Sequence, residues 1–461
     1  MSSVLWGLDV SKVDGPRYLA VAGAIARAID SGELPPGAQL PPQRDLADRL
    51  GVTVGTVSRA YALARKRRLI VGEVGRGTFV QGAARGERTI PKETERGIDL
   101  ACFRSPAEGL SQTVVRSLLE VGERASLLPL HRYTSGQGAR SHRLAGVSWI
   151  ARSGLVVPED RVLLTNGAQE AVAVALSALT STGDTVLTEE FTYSGLKALA
   201  NLQGLRLRAV ASDRQGMIPD ALERMALETG ARVVYLQPTV HNPTTASMPE
   251  SRRREIAAII ERLDLMVIED DAAASALAER PLPVTALVPE YGCYITSLSK
   301  SVSPALRTAY LTAGADLIGG MIDTFHALAL GASPITAEIA SLMIGNGSAD
   351  TVARGYVALL SKQFEVARRA LDGHVVHGTP GAFYVWMELP ERWNADDLVA
   401  AAKRRGLSVP HPDSFQAEPG RGRQGLRISL SPSSQPDMLH EGLTALRDIL
   451  ASRPQLRATI I

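Results

Sequence analysis

Lys300 stands in the stretch SLSKSVSPALR, directly after the apolar run YITSLS. A lysine at a strand end, set among hydroxyls and near another cation, keeps part of its amine neutral, because a neighbouring positive charge disfavours the ammonium form. A neutral amine can condense with a carbonyl as a Schiff-base lysine. Arg307 follows in the same stretch and can pair bidentately with a phosphate. Ser297 and Ser299 supply further hydroxyls. Asp270 closes the run LMVIEDD. A carboxylate at the C-terminal end of a buried strand lies where α/β sheets place ligands, and opposite a ring nitrogen it keeps that nitrogen protonated. The junction Thr165-Asn166-Gly167-Ala168-Gln169-Glu170 joins a strand to a helix, and the backbone N–H groups of Gly167, Ala168 and Gln169 can cradle a phosphate. Asn242, in His241-Asn242-Pro243-Thr244, can donate to a phenolic oxygen. Tyr193, in EEFTYSG, can stack on an aromatic ring. Singly, each is an ordinary feature: a surface lysine, a turn-capping aspartate, a strand–turn–helix junction, a core tyrosine. In this order they describe a site for pyridoxal phosphate.

Such a site needs a sheet whose strand ends converge. Apolar strand-like runs at 161–164, 185–188, 232–236, 265–268, 294–297 and 309–312 alternate with helical stretches. That alternation predicts an α/β domain with a largely parallel sheet. A last segment, from 382–389 through 449, mixes strands and helices and reads as a smaller α+β lobe. The domain spans 99–461, after a Gly-rich, charged linker at 82–98 that lacks apolar periodicity.

Residues 1–81 have another texture. Up to residue 92 the chain has 14 basic and 8 acidic side chains, against 36 and 40 in the remainder, so a basic head sits on an acidic body. A helix is predicted over 17–31, with Leu19, Ala22, Ile25, Ala26 and Ile29 on one face. A short helix, 44–50, is stopped by Gly51. A third, 53–65, is capped by Thr53 and has Val54, Val57, Tyr61 and Ala64 on its apolar face. Two short strands then flank the turn Gly75-Arg76-Gly77. This is the plan of a winged helix-turn-helix for double-stranded DNA. Thr53, Thr56, Ser58 and Arg59 on the third helix face the major groove, Arg44 reaches phosphate or base, and Arg76 at the wing tip enters the minor groove. The run Arg65-Lys66-Arg67-Arg68 meets phosphates.

Composition narrows the remaining classes. With 45% hydrophobic and 21% charged residues, the chain is a globular mix and not a disordered one. Two cysteines, Cys102 and Cys293, exclude a disulfide scaffold and a Cys-rich zinc module, and no metal site is expected. No apolar run is long enough to span a membrane, and Asp9, Lys12 and Asp14 occupy the place of a signal-peptide core. A cytoplasmic location is expected.

From GPRYLAVAGAIARAIDSGELPPGAQLPPQRDLADRLGVTVGTVSRAYALARK to GRGTFVQ the head resembles GntR-type regulators, and residues 99–461 resemble fold-type I aminotransferases. Head and body together resemble the MocR subfamily, in which an aminotransferase-like domain senses effectors. The resemblance implies a homodimer, Lys300 as the aldimine lysine, Asp270 at the pyridine nitrogen and Asn242 at the phenolic oxygen. It places Arg307, Ser299 and the 167–169 backbone at the phosphate. Tyr133, in HRYTSGQG, matches a tyrosine that reaches the phosphate across the dimer. Arg427, in GLRISLS, matches the arginine that binds a substrate carboxylate. Two positions depart from the family. Ala272 stands where a tyrosine usually donates to the phenolic oxygen, and Thr245 stands where glycine usually follows Asn-Pro-Thr, a change expected to tighten the loop. Three functions stay open: a regulator that senses an amino acid or amine through aldimine exchange, a working aminotransferase with a vestigial head, and a DNA-binding protein whose body only dimerises.

Overall fold

The computed structural model describes residues 16–30, 33–34, 38–66, 69–73, 77–80, 97–103, 110–123, 136–274, 277, 279–418, 420, 424–431 and 437–452. The chain divides into two compact units, Met1–Glu95 and Arg96–Ile461.

In the first unit the helices Arg17–Asp30, Gln43–Leu50 and Val54–Lys66 enclose a core that includes Val21, Ile25, Leu46, Val57 and Tyr61. Gly51 ends the second helix at φ 62°, a left-handed conformation that glycine adopts without a Cβ penalty. The third helix starts where Thr53 Oγ1 accepts the Thr56 N–H at 3.2 Å. Tyr61 donates its hydroxyl to the Pro41 carbonyl at 2.8 Å, fastening this helix to the connector before the second. The strands Ile70–Glu73 and Gly77–Val80 form the expected antiparallel hairpin, with Gln39–Leu40 on its outer edge. One expectation is corrected. Val54 is 42% exposed, because it starts the helix one turn before the first buried residue of that face, Val57.

The second unit is built on a seven-stranded sheet. Its spatial order is Val162–Thr165, Ala309–Ala313, Gly292–Ser297, Met266–Asp270, Val233–Leu236, Thr185–Glu189 and Arg206–Val210. Ala309–Ala313 is antiparallel to both neighbours and the other pairings are parallel. The C-terminal ends of six strands therefore share one edge with the N-terminal end of the seventh. Thr165, Ser297, Asp270 and the start of Ala309–Ala313 all open onto that edge. The central strands are buried on both faces, as their continuous apolar runs require. The edge strand RLRAV is absent from the sequence-based expectation, because its arginines hide an element exposed on one side.

A smaller antiparallel sheet, Val376–His377, Tyr384–Glu388 and Gly425–Ser429, shares a core with the long helix Ser348–Ala370 and the terminal helix Asp437–Ala451. The linker expected over 82–98 lies outside the described residues up to 96. Its last residue is corrected: Ile98 already belongs to a strand, Ile98–Asp99, paired in parallel with Leu407–Ser408. The half-buried Ile98 packs on the small-lobe core, which holds it in place.

The strand leading to Lys300 begins where a side chain does not fit. A Cβ on Gly292 would lie 2.0 Å from the Val267 carbonyl oxygen of the next strand. Gly292→Ala is therefore expected to cost about 1–3 kcal/mol through overpacking. It should lower the melting temperature followed by far-UV circular dichroism, and wild-type melting would contradict this close strand approach.

Candidate functional site

Lys300 lies on the short helix Leu298–Ser301, which starts as the strand Gly292–Ser297 ends. Its Nζ sits over the Phe103 ring, 4.4 Å from the centroid. Burial, and after it the charge of Arg427, bring the Lys300 amine down to about 8. The sequence expected a neighbouring cation to do this; the structure puts burial first and makes Arg427 the cation. Near neutral pH about one amine in ten is then uncharged, far more than for a free lysine.

Asp270 ends its strand buried, with three donors. The Tyr235 hydroxyl and Gln237 Nε2 donate to Oδ2 at 2.6 and 3.1 Å, and the Ala272 N–H donates to Oδ1 at 3.0 Å. Burial raises its pKa, and the hydrogen bonds from Tyr235, Ala272 and Gln237 oppose that rise. A protonated ring nitrogen would supply the counter-charge this carboxylate lacks.

The phosphate side is assembled from segments far apart in sequence. Gly167 has φ 106° and precedes the helix Ala168–Leu179, so the first N–H groups of that helix are unmatched within it. A Cβ on Gly167 would meet Arg307 Nη2 at 2.5 Å, so the guanidinium lies directly on this turn. Arg307 Nη2 also donates to the Asn166 carbonyl at 3.0 Å. The Ser299 hydroxyl is buried without a hydrogen-bond partner. A bare helix start, a guanidinium and an orphaned buried hydroxyl fit a phosphate. Ser297 has a different task from the expected one. Its Oγ accepts the Ser299 N–H at 3.0 Å and donates to the Thr308 carbonyl at 3.3 Å, so it caps the helix carrying Lys300. Tyr193 and Gln169 come together over Gly195, where an added Cβ would lie 2.2 Å from the Tyr193 ring and 2.3 Å from Gln169 Oε1.

Arg427, on Gly425–Ser429, is half-buried. It donates to Asn242 Oδ1 at 2.9 Å and to the Ala101 carbonyl at 2.7 Å, and its guanidinium lies near the Phe415 and Tyr384 rings. With Asn242 Oδ1 held this way, Nδ2 is the amide atom left to donate toward a cofactor. Thr245 holds an unusual backbone conformation in its loop. It takes φ 62°, the left-handed form glycine would take, at a cost of about 1–2 kcal/mol, and its N–H donates to the His241 carbonyl at 2.6 Å. Tyr133 lies outside the described residues.

In the head, Gly55, Ser58, Arg59, Ala62 and Arg65 form one exposed stripe along Val54–Lys66, and Arg44 is exposed at the start of the helix before it. Short side chains along the stripe allow close approach to a groove, and Arg59 can read a base edge. Thr53 and Thr56 share a hydrogen bond between their hydroxyls at 2.9 Å, so their first role is to start the helix. Arg76 and Arg67 lie outside the described residues.

Residues 107–446 match the family Aminotransferase class I and II, and residues 17–80 match Bacterial regulatory proteins, gntR family. The chain belongs to the aminotransferase class I and II family and joins to it a gntR-family head, the domain combination of MocR regulators. An HTH-type transcriptional regulator of Bacillus subtilis, YdeF, is 28% identical over 96% of this chain and 96% of its own length. TauR, an HTH-type transcriptional regulator of Rhodobacter capsulatus, is 24% identical over 92% of this chain and 94% of its own. Among solved structures, kynurenine aminotransferase of Pyrococcus horikoshii superimposes with a TM-score of 0.71 at 20% identity, covering 78% of this chain and 92% of that one. The MocR body thus has the fold of pyridoxal-phosphate-dependent aminotransferases.

Within this MocR chain the structure brings Lys300, Asn242 and Arg427 into one site with Asp270 and Tyr193, and Gly167, Gln169, Ser299 and Arg307 into the adjoining cradle. The sequence missed Tyr235 and Gln237 on Asp270, Phe103 on Lys300, and Ala101 on Arg427. It also missed Cys102, a half-buried cysteine within electrostatic reach of both Lys300 and Arg427. The one available signal was VVYLQP, where polar groups interrupt an apolar run.

In protein stripped of cofactor, modification of Lys300 by an amine-directed reagent, followed by peptide mass mapping, should rise with pH around a midpoint of about 8. Arg427→Leu removes a nearby positive charge, disfavours the ammonium form less, and should move the midpoint upward. A midpoint that stays put or falls contradicts the arrangement. In the head, Arg59→Ala should cost about 1–3 kcal/mol on a specific operator and less on random DNA, as read by gel shift. Equal losses on both would reduce Arg59 to a phosphate contact.

Proposed function

We propose that this chain is a transcriptional regulator that binds double-stranded DNA through residues 1–81 and senses an amino acid or amine through a pyridoxal phosphate site in residues 99–461. The observation that carries the reading is the joining, in one chain, of a GntR head with an exposed reading stripe to a body that gathers Lys300, Asp270, Asn242 and Arg427. Pyridoxal phosphate, when bound, supplies an aldehyde that condenses reversibly with primary amines. Lys300, kept partly neutral by burial and by Arg427, holds the cofactor in the resting protein and regains a free amine when an effector takes its place. Asp270, aligned by Tyr235 and Gln237, holds a proton at the ring nitrogen. Asn242 would donate to the phenolic oxygen, and Tyr193 would stack on the ring. Arg307, Ser299 and the N–H groups at 167–169 bind the phosphate. Arg427, steadied by Asn242 and Ala101, receives the carboxylate of an incoming amino acid.

The exchange of an effector against Lys300 would shift the population of body conformations, and with it how the heads are offered to DNA. A homodimer would present two heads to an operator, and a protein acting on chromosomal DNA would work in the cytoplasm. Among the described residues no helix is long and apolar enough to cross a membrane. The intact set of Lys300, Asp270 and Arg427 also favours a second reading, turnover as an aminotransferase, and the glycine-like conformation of Thr245 removes one objection to it.

The test is spectroscopic. Wild-type protein reconstituted with pyridoxal phosphate should absorb in the visible, respond to amino acids or amines, and change its operator affinity with the same dose dependence. Lys300→Ala should lose the lysine-dependent absorbance while keeping its far-UV spectrum. An unchanged visible spectrum in Lys300→Ala, or an operator affinity indifferent to every amine that alters the wild-type spectrum, overturns the proposal. Keto-acid-dependent turnover would establish the second reading.

A further inference from the structure

A cavity of about 570 Å³ opens beside the loop that carries Asn242. His241, Thr244 and Thr245 of that loop line it, together with the chain leaving the strand Thr185–Glu189, the turn at 212–216 and the small-lobe strands around Val376 and Trp386. None of Lys300, Asp270, Arg307 or Arg427 is among its lining residues. Its size falls within the range of small-molecule pockets.

Two lining side chains carry buried polar atoms without partners. Glu189 is 2% exposed and its Oε1 makes no hydrogen bond; His241 is 3% exposed and its Nε2 makes none. The two groups approach to 3.8 Å, His241 Nε2 to Glu189 Oε2. They do not neutralise each other. Burial lowers the imidazole to about 4, so it is neutral, and raises the Glu189 carboxyl to about 7. The remaining acidic lining residues are Glu190, Asp213 and Glu388. Asp213 is paired with Arg252 at 2.6 Å, and Glu388 with His377 at 2.8 Å. Arg214 is the one arginine or lysine on the lining, and it stands 3.7 Å from Glu388. Glu189 thus faces a cavity without a cation of its own. On the same wall Phe191 and Trp386 meet edge to face, with centroids 5.2 Å apart. At about 7 Glu189 is ionised in about half the molecules at neutral pH, and an ammonium group beside it would hold it as the carboxylate, with the aromatic side chains Phe191 and Trp386 on the same lining.

We propose that this cavity is a second binding site, separate from the cofactor site, for a small organic ammonium compound whose N–H donates to Glu189 and whose carbon skeleton lies against Phe191 and Trp386. His241 Nε2 offers a second polar contact, to a hydroxyl of the same ligand. The site shares one loop with Asn242, so a single short segment forms a wall of both.

N,N-dimethylethanolamine is the probe. Its tertiary ammonium has one N–H to donate, it carries a hydroxyl, and it cannot condense with an aldehyde, so the cofactor site does not consume it. Isothermal titration of the full-length, cofactor-loaded protein should show saturable binding. Glu189→Gln should weaken it about tenfold or more, the scale of a lost charge-assisted hydrogen bond. Glu190→Lys, a half-exposed change that places a positive charge at the rim, should also weaken it and decides the matter if Glu189→Gln does not fold. Lys300→Ala should bind the probe as wild type does, which separates this site from the cofactor site. Absence of saturable binding, binding unaffected by both glutamate variants, or binding lost with Lys300→Ala overturns the proposal.

Discussion

The site depends on a half-buried guanidinium whose hydrogen bonds are made to two neutral oxygens. Arg427 satisfies two of its donors on Asn242 Oδ1 and the Ala101 carbonyl, while its Nε has no partner. Hydrogen bonds from a charged group are worth about 1.5–3 kcal/mol each, and losing one partner leaves a charge stranded in a low dielectric. Three segments are therefore fixed relative to one another: the strand Gly425–Ser429, the loop around Asn242, and the residues just after Ile98–Asp99. The same charge helps keep Lys300 partly neutral, so the group suited to a carboxylate also prepares the amine. Burial lowers the pKa of Arg427 as well, which adds to the pull toward any anion that can reach it.

What the sequence disclosed follows a physical line. Asp270 and Lys300 were legible because each follows an apolar run directly, and a polar group at the end of a buried strand is conspicuous. Gly167 and Arg307 were legible as residue types, but their contact depends on the antiparallel pairing of Ala309–Ala313 with Val162–Thr165, which no local pattern announces. The donors on Asp270 were not legible. Tyr235 and Gln237 belong to the neighbouring strand, and only the register of Val233–Leu236 against Met266–Asp270 brings them to the carboxylate. Ser297 was misread because a serine before a short helix reads equally well as a ligand and as a cap, and only the bond from the Ser299 N–H decides. The left-handed backbone of Thr245 was not legible, because hydrogen bonds within its loop, and not its residue type, hold it there. In the head, helix spacing located the buried face from Val57 onward, where packing enforces periodicity, and failed at Val54, where the helix begins.

The strand Ile98–Asp99 gives the fold a mechanical property. Seventeen residues separate Val80, the last described residue of the head, from Ile98. At Ile98 the chain is stitched to Leu407–Ser408, two residues after Asp99 it offers a carbonyl to Arg427, and two further on its Phe103 ring lies under Lys300. The tether that joins head to body is thus anchored on the two cations that would meet an effector. A change of partner at either cation therefore falls on residues 101–103, directly beside the strand where the body begins, and not on the core of the seven-stranded sheet.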